Sequence, residues 1–151
     1  MDNYTQRIAA GGFVIHHDKI LLVRYPHADG SFLVAPGGGL NDGETLRDAV
    51  KREVFEETGI RVEPQVPVMI ENARSSRFQM LKIWYRCRYI EGVITATAES
   101  RLEGILSADW YTDEQLVSET VFPEIIQRLK IDGLLNFEAN IIENGVHYAN
   151  F

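Results

Sequence analysis

The chain has 151 residues, about one domain's worth, and 45% of them are apolar, enough for a core of its own. Its net charge of -7 argues against a nucleic-acid polymer as main partner, because phosphate backbones are bound through clustered Lys and Arg. No apolar run is long enough to span a bilayer, and MDNYTQRIAA lacks the basic-then-apolar pattern of a secretory signal. The single Cys87 forms no intramolecular disulfide, which fits a reducing cytoplasm, and a cytoplasmic protein without a membrane partner is the expectation.

In chain order, Ile8 to Ile15 is apolar and interrupted by Gly11-Gly12, predicting a strand with a bulge or a close backbone approach. A short turn at HHDK separates it from a second strand, Lys19 to Tyr25. PHADGS breaks the chain, a third strand starts at Phe32 to Ala35, and Pro36-Gly37-Gly38-Gly39 ends it. Thr45-x-x-Asp48 resembles a capping box and predicts a helix that runs to about Thr58, with Gly59 as its stop.

Arg61 to Ile70 carries Pro64 and Pro67 and reads as a broken or edge strand. Phe78 to Ile90 alternates, with Leu81, Ile83, Tyr85, Cys87 and Tyr89 on one face and Lys82, Trp84, Arg86 and Arg88 on the other. ADWYT is a short strand followed by a helical turn or two in DEQLVSE. Pro123 to Leu135 places Ile125, Ile126, Leu129 and Leu134 on a helical stripe, with Pro123 near its start. FEANIIENGVHYANF fixes neither state. No repeat, low-complexity tract or linker divides the chain, so one α/β or α+β domain is expected over residues 1–151.

The helix at 46–58 breaks local rules. On a wheel of about 100° per residue, Glu53 and Glu57 fall in the middle of the apolar arc of Leu46, Ala49, Val50 and Val54, with Glu56 on its shoulder. A solvated helix would keep its acids opposite Leu46 and Val50. Three acids in the last turns also oppose the macrodipole, and Glu53 and Glu57 repel at i,i+4. Such conflicts are expected at functional sites. Unpaired buried carboxylates are costly, and a hard cation with oxygen ligands, Mg2+ or Mn2+, would offset both penalties. It would also reconcile an acidic site with a small phosphorylated ligand. The glycines at 37–39 let the backbone approach closely and leave carbonyls and amides accessible.

From Gly38 to Ile60 the sequence GGLNDGETLRDAVKREVFEETGI resembles the Nudix box, G-x5-E-x7-R-E-U-x-E-E-x-G-U, with U a bulky aliphatic residue. Gly38, Glu44, Arg52, Glu53, Val54, Glu56, Glu57, Gly59 and Ile60 fill every fixed position. The resemblance implies an α/β/α sandwich with a mixed sheet. It also implies metal-dependent hydrolysis of a phosphoanhydride bond in a nucleoside diphosphate derivative, with water attacking phosphorus.

By the same resemblance, Glu56 and Glu57 are metal ligands, the Gly38 carbonyl is a third, and Glu53 is a ligand or the general base. Arg52 pairs with a box glutamate, and Glu44 is structural near the helix start, with metal binding a second role. A further loop carboxylate is expected from Glu99 or Glu103, with Glu103 slightly favoured.

Arg24, Arg74, Arg77 and Arg86 are candidate phosphate or base contacts, as is Arg88, with a solvated surface position the favoured role for any one of them. Phe32, Phe78 and Trp84 are candidates for base stacking, with core packing the simpler role, and Trp110 is expected in the core. His16, His17, His27 and His147 have no zinc spacing. The substrate is expected to be a small nucleotide: a nucleoside triphosphate, oxidised forms included, or a nucleoside diphosphate sugar. The competing class is a nucleotide sensor that binds without cleaving, and the intact box favours catalysis. The family resemblance also admits a homodimer.

Overall fold

The computed structural model describes residues 5–74 and 76–138. Three strands, β1 (Thr5–His16), β2 (Lys19–His27) and β3 (Gly30–Val34), precede the three-glycine strand β4 (Gly37–Gly39). Helix α1 (Leu46–Thr58) leads to a long hairpin of β5 (Arg61–Arg74) and β6 (Phe78–Glu91). Then come α2 (Ala98–Leu102), β7 (Ser107–Tyr111), the one-turn α3 (Asp113–Leu116), β8 (Val121–Phe122) and α4 (Ile125–Leu135).

Among the described residues the strands form one eight-stranded mixed sheet in the order β5-β6-β1-β2-β3-β8, with β4 beside β1 and β7 beside β2. β1 and β6 run parallel from Thr5↔Phe78 to Ile15↔Arg88. β1 meets β2 only at Ile15↔Ile20 and His16↔Lys19, across a turn in which His17 and Asp18 both take left-handed φ values of 50° and 56°. A two-residue hairpin loop requires that conformation, because its twist matches that of the strands. Beyond the turn β1 and β2 part: β1 takes β4 at Ala9–Gly11, and β2 takes β7 at Ile20–Arg24. The sheet is therefore split on one side, with the glycine strand in the split.

Two apolar clusters cover the sheet. One gathers Ala49, Val50 and Val54 of α1 with Val14, Leu21, Tyr85 and Cys87. The other gathers Leu116, Ile126, Ile131 and Leu134 with Phe13, Leu22, Leu33 and Trp84. Val50 and Val54 are fully buried, and burying such a side chain stabilises by about 1.5–3 kcal/mol.

β6 lies between β5 and β1, and the two clusters cover its two faces, Tyr85 and Cys87 in the one with α1 and Trp84 in the one with α4. This corrects the simple apolar-and-polar reading of its alternation: Trp84 and Lys82 are buried on the face opposite Tyr85 and Cys87, and Leu81 is exposed. A central strand loses the polar face that an edge strand keeps. β5 is the edge strand its prolines predict, with register shifts between Pro64 and Val66 and between Pro67 and Met69, and it extends to Arg74. Helix α4 breaks at Lys130 (φ 60°, ψ 175°), where the Ile131 N–H is received by the Asp113 carboxylate at 3.1 and 3.4 Å. β4, α2 and β8 are elements beyond those expected. His147 and the stretch after residue 138 lie outside the described residues.

Candidate metal centre

Helix α1 is fixed at both ends. The Thr45 side chain receives the Asp48 N–H, and Gly59, at φ 79°, closes the helix with its own N–H on the Phe55 carbonyl. The positive φ is why glycine stands there. With the helix so placed, Glu53 and Glu57 face the sheet at 6% and 2% exposure, and Glu56 lies on the shoulder.

Glu103 joins them from the end of α2. One carboxylate oxygen each of Glu53, Glu57 and Glu103 lies within 4.8 Å of the other two. The strap before α2 is stitched to the end of α1: the Thr95 N–H donates to the Thr58 carbonyl at 2.9 Å, and the Thr97 hydroxyl donates to the Glu56 carbonyl. Thr97 also caps α2. The Tyr25 hydroxyl donates to Glu103 at 3.2 Å.

Arg52 organises the solvent side. Its Nε and Nη2 donate to Glu44 at 2.7 and 2.9 Å, and Nη1 donates to Glu53 at 2.7 Å and Glu56 at 3.2 Å. Nη2 also reaches the Gly39 carbonyl at 2.9 Å. Glu44 receives the Asn41 N–H at 2.9 Å as well, so one guanidinium ties the loop before α1 to the acids on it.

The glycines of β4 allow these approaches. A Cβ on Gly38 would lie 2.6 Å from the Glu53 carboxylate, and one on Gly37 would lie 2.5 Å from the Gly11 Cα.

The electrostatics are strained. Burial pushes Glu57 well above the usual carboxylate range, the charges of Glu103 and Glu53 add to this, and Lys82 and the Gly37 amide oppose it. Burial also raises Glu53, against the pull of Arg52. The Arg52 hydrogen bonds hold Glu44 below the usual range. Glu57 Oε2 is buried with no hydrogen-bond partner among the described residues. Convergent carboxylates, an orphaned acceptor and a cradle that any Cβ would fill suit a hard divalent cation such as Mg2+ or Mn2+.

The other candidates are placed as follows. Glu56 stays outside the three-carboxylate group and holds Arg52. Glu99 stands in the first turn of α2, where an anion suits the helix dipole. Arg24 pairs with Glu119 at 2.8 Å and donates to Ser31. Arg86 donates to the carbonyls of Leu135 and Phe137 behind α4. Arg74 ends β5, and the carbonyl of Arg77 receives the Thr5 N–H at 3.2 Å. Burial pushes the Cys87 thiol far up, which leaves it inert.

An aromatic row leads away from the acids. Tyr25 stacks on Phe32 at 5.8 Å between ring centres, and Phe32 meets Phe122 edge-on at 5.7 Å. Beside it is a cavity of about 290 Å³ lined by His27, Asp29, Gly30, Ser31, Phe32, Thr120 and Phe122.

Tyr25 and Lys82 are the neighbours of the site that sequence reasoning missed. Lys82 looks like an ordinary outward lysine on an alternating strand. Its burial is visible only once β1 and β4 are packed beside it.

The NUDIX domain family model matches residues 5–129. The "MutT-like protein" of Streptomyces ambofaciens is 33% identical over 103 residues, covering 68% of this chain and 64% of that protein. The human "8-oxo-dGDP phosphatase NUDT18" is 30% identical over 101 residues, covering 66% of this chain and 30% of that protein. The chain thus spans less than two thirds of the length of these relatives. A MutT NUDIX hydrolase from Burkholderia pseudomallei superposes with a TM-score of 0.67 at 18% identity, over 84% of this chain and 98% of that one.

Proposed function

The chain belongs to the NUDIX family, and from that premise we propose that it hydrolyses a phosphoanhydride bond in a nucleoside diphosphate derivative, with a divalent metal and with water attacking phosphorus. The observation that carries this reading is the meeting of Glu53, Glu57 and Glu103 around the unpartnered Oε2 of Glu57.

Glu53, Glu57 and Glu103 would hold Mg2+ or Mn2+, with Glu56 and the Gly38 carbonyl as further oxygen donors at the margin. When bound, the ion neutralises phosphate charge and makes water more acidic. Arg52 keeps Glu53 in one orientation through its Oε1. The other oxygen of Glu53 is then the atom that would either hold the ion or take a proton from the attacking water. Positioning and charge stabilisation are most of what phosphoryl transfer asks of a protein.

The aromatic row supports a ligand with a flat base. The name of the human relative supports oxidised purine nucleotides among nucleoside di- and triphosphates, beside nucleoside diphosphate sugars.

The test is a nucleotide panel with Mg2+ or Mn2+, scored by release of phosphate or pyrophosphate. Activity that EDTA abolishes is expected, together with its loss in folded Glu57→Gln protein. Tight nucleotide binding with no turnover of any panel member would replace this reading with that of a sensor.

A further inference from the structure

Lys82 is 8% exposed, on the parallel pairing of β6 with Ala9 of β1. Its ammonium stands 4.1 Å from the centre of the Trp84 ring. Among the described residues it makes neither a hydrogen bond nor an ion pair. Trp84 Nε1 is also buried without a partner, as is Glu57 Oε2. Most buried polar groups are paired, so these two atoms stand out, and the Lys82 ammonium beside Trp84 has no protein acceptor. One of them is an acceptor and suits a cation. The Lys82 ammonium is a donor and suits an anion.

The partition between them is thin. Lys82 Cε would lie 3.1 Å from a Cβ on Gly37, and the Glu53 carboxylate would lie 2.6 Å from one on Gly38. Burial lowers the Lys82 pKa, and the carboxylates that oppose this and favour its charged form are Glu57, Glu71, Glu53 and Glu103, three of them the proposed metal ligands. The face of Trp84 shields the ammonium from water on one side, and in a poorly solvated interior its field reaches the cluster little screened.

Resting on the metal-dependent reading above, we propose that Lys82 is a resident cation that makes metal capture depend on a phosphate ligand. Alone, its charge opposes entry of a divalent ion among Glu53, Glu57 and Glu103. A diphosphate oxygen brought to Lys82 neutralises that charge and removes the opposition. Linkage makes the effect reciprocal: the metal strengthens diphosphate binding by the same factor. Lys82 acts through the metal and the phosphates and is a positioning residue.

The test measures Mn2+ binding to the full chain by electron paramagnetic resonance, with and without imidodiphosphate, a diphosphate whose bridge resists hydrolysis. Wild-type protein is expected to bind Mn2+ weakly alone, and about tenfold or more tightly with imidodiphosphate. Lys82→Met is expected to bind Mn2+ alone about fivefold or more tightly than wild type, with a smaller gain from imidodiphosphate. Lys82→Arg keeps the charge and is expected to restore the wild-type pattern, which a purely structural role would not require. Folding is checked by circular dichroism, and Lys82→Gln takes the place of Lys82→Met if the latter does not fold. Unchanged or weaker Mn2+ affinity in the neutral variant overturns the proposal while leaving the metal site standing. Wild-type protein that binds no Mn2+ under either condition overturns the metal reading, and this proposal with it.

Discussion

Arg52 grips Glu44 with two roughly parallel hydrogen bonds, Nε to Oε1 at 2.7 Å and Nη2 to Oε2 at 2.9 Å, while its Nη1 holds Glu53 at 2.7 Å. A planar fork can do this and a point charge cannot. Arg52→Lys keeps the charge and loses the fork. It is expected to fold and to lose about tenfold to a hundredfold in metal affinity or activity, as for other residues that orient metal ligands. Mn2+ titration beside turnover measures it, and wild-type values in both would refute the orienting role.

Gly38→Ala places a methyl group where the Glu53 carboxylate now lies, since a Cβ there would be 2.6 Å away. Either Glu53 turns out of the cluster or β4 shifts. The expected result is a folded protein destabilised by about 1–3 kcal/mol in urea, with weakened Mn2+ binding. Gly39→Ala is the control, because its nearest neighbour would be the Ile8 carbonyl at 3.9 Å. Equal Mn2+ binding by the two variants would count against Gly38 as part of the cradle.

Glu57→Gln removes a buried, partly unpartnered charge. In EDTA its thermal midpoint is expected to rise above wild type, by the equivalent of about 1 kcal/mol. Added Mn2+ is expected to stabilise wild type and leave the variant unmoved. A variant less stable than wild type in EDTA would show that the Gly37 amide and Lys82, which favour the charged carboxylate, outweigh the cost of its burial.

Acid sensitivity has a defined sign at the ion pair of Glu119 and Arg24. The guanidinium holds Glu119 below the ordinary carboxylate range. Such a group adds stability above its unfolded pKa, about 4.3, and loses it as pH falls through the lower folded value. The pair is partly exposed, so the loss is expected at no more than about 1 kcal/mol. Urea midpoints for wild type and Glu119→Gln should converge below that range and diverge above it. A constant gap between them at all pH values would rule out the linkage.

Phe32→Ala opens the middle of the aromatic row. If a nucleobase stacks there, KM for a nucleotide is expected to rise by a factor equivalent to about 1–3 kcal/mol, with kcat and Mn2+ affinity near wild type. A fall in kcat at unchanged KM would assign Phe32 to support of Tyr25 and Glu103 instead.

The carboxylate-bearing helix was legible because every constraint on it is local. Thr45 and Gly59 mark its ends, and the apolar arc of Leu46, Val50 and Val54 fixes which way Glu53 and Glu57 point. The proline-marked edge strand was legible for the same reason. What escaped depends on partners distant in sequence. β4 is three glycines that become a strand only because Ala9 to Gly11 lie alongside. Lys82 is buried only because β1 and β4 close over it. α2, which delivers Glu103, is too short to announce itself by periodicity. The alternation of β6 correctly signalled a strand but could not say that both faces would be covered.

The strap from Gly92 to Thr97 links two parts of the carboxylate cluster that are far apart in sequence. Glu53 and Glu57 share one helix and take up their relative positions as soon as α1 forms. Glu103 lies 46 residues beyond Glu57 in the numbering, and it is held near them through the bonds of Thr95 and Thr97 to the last turn of that helix. The helix by itself supplies a pair of acids, and the strap makes the pair a trio. An ion that needs all three carboxylates would thus depend on two threonines that never touch it.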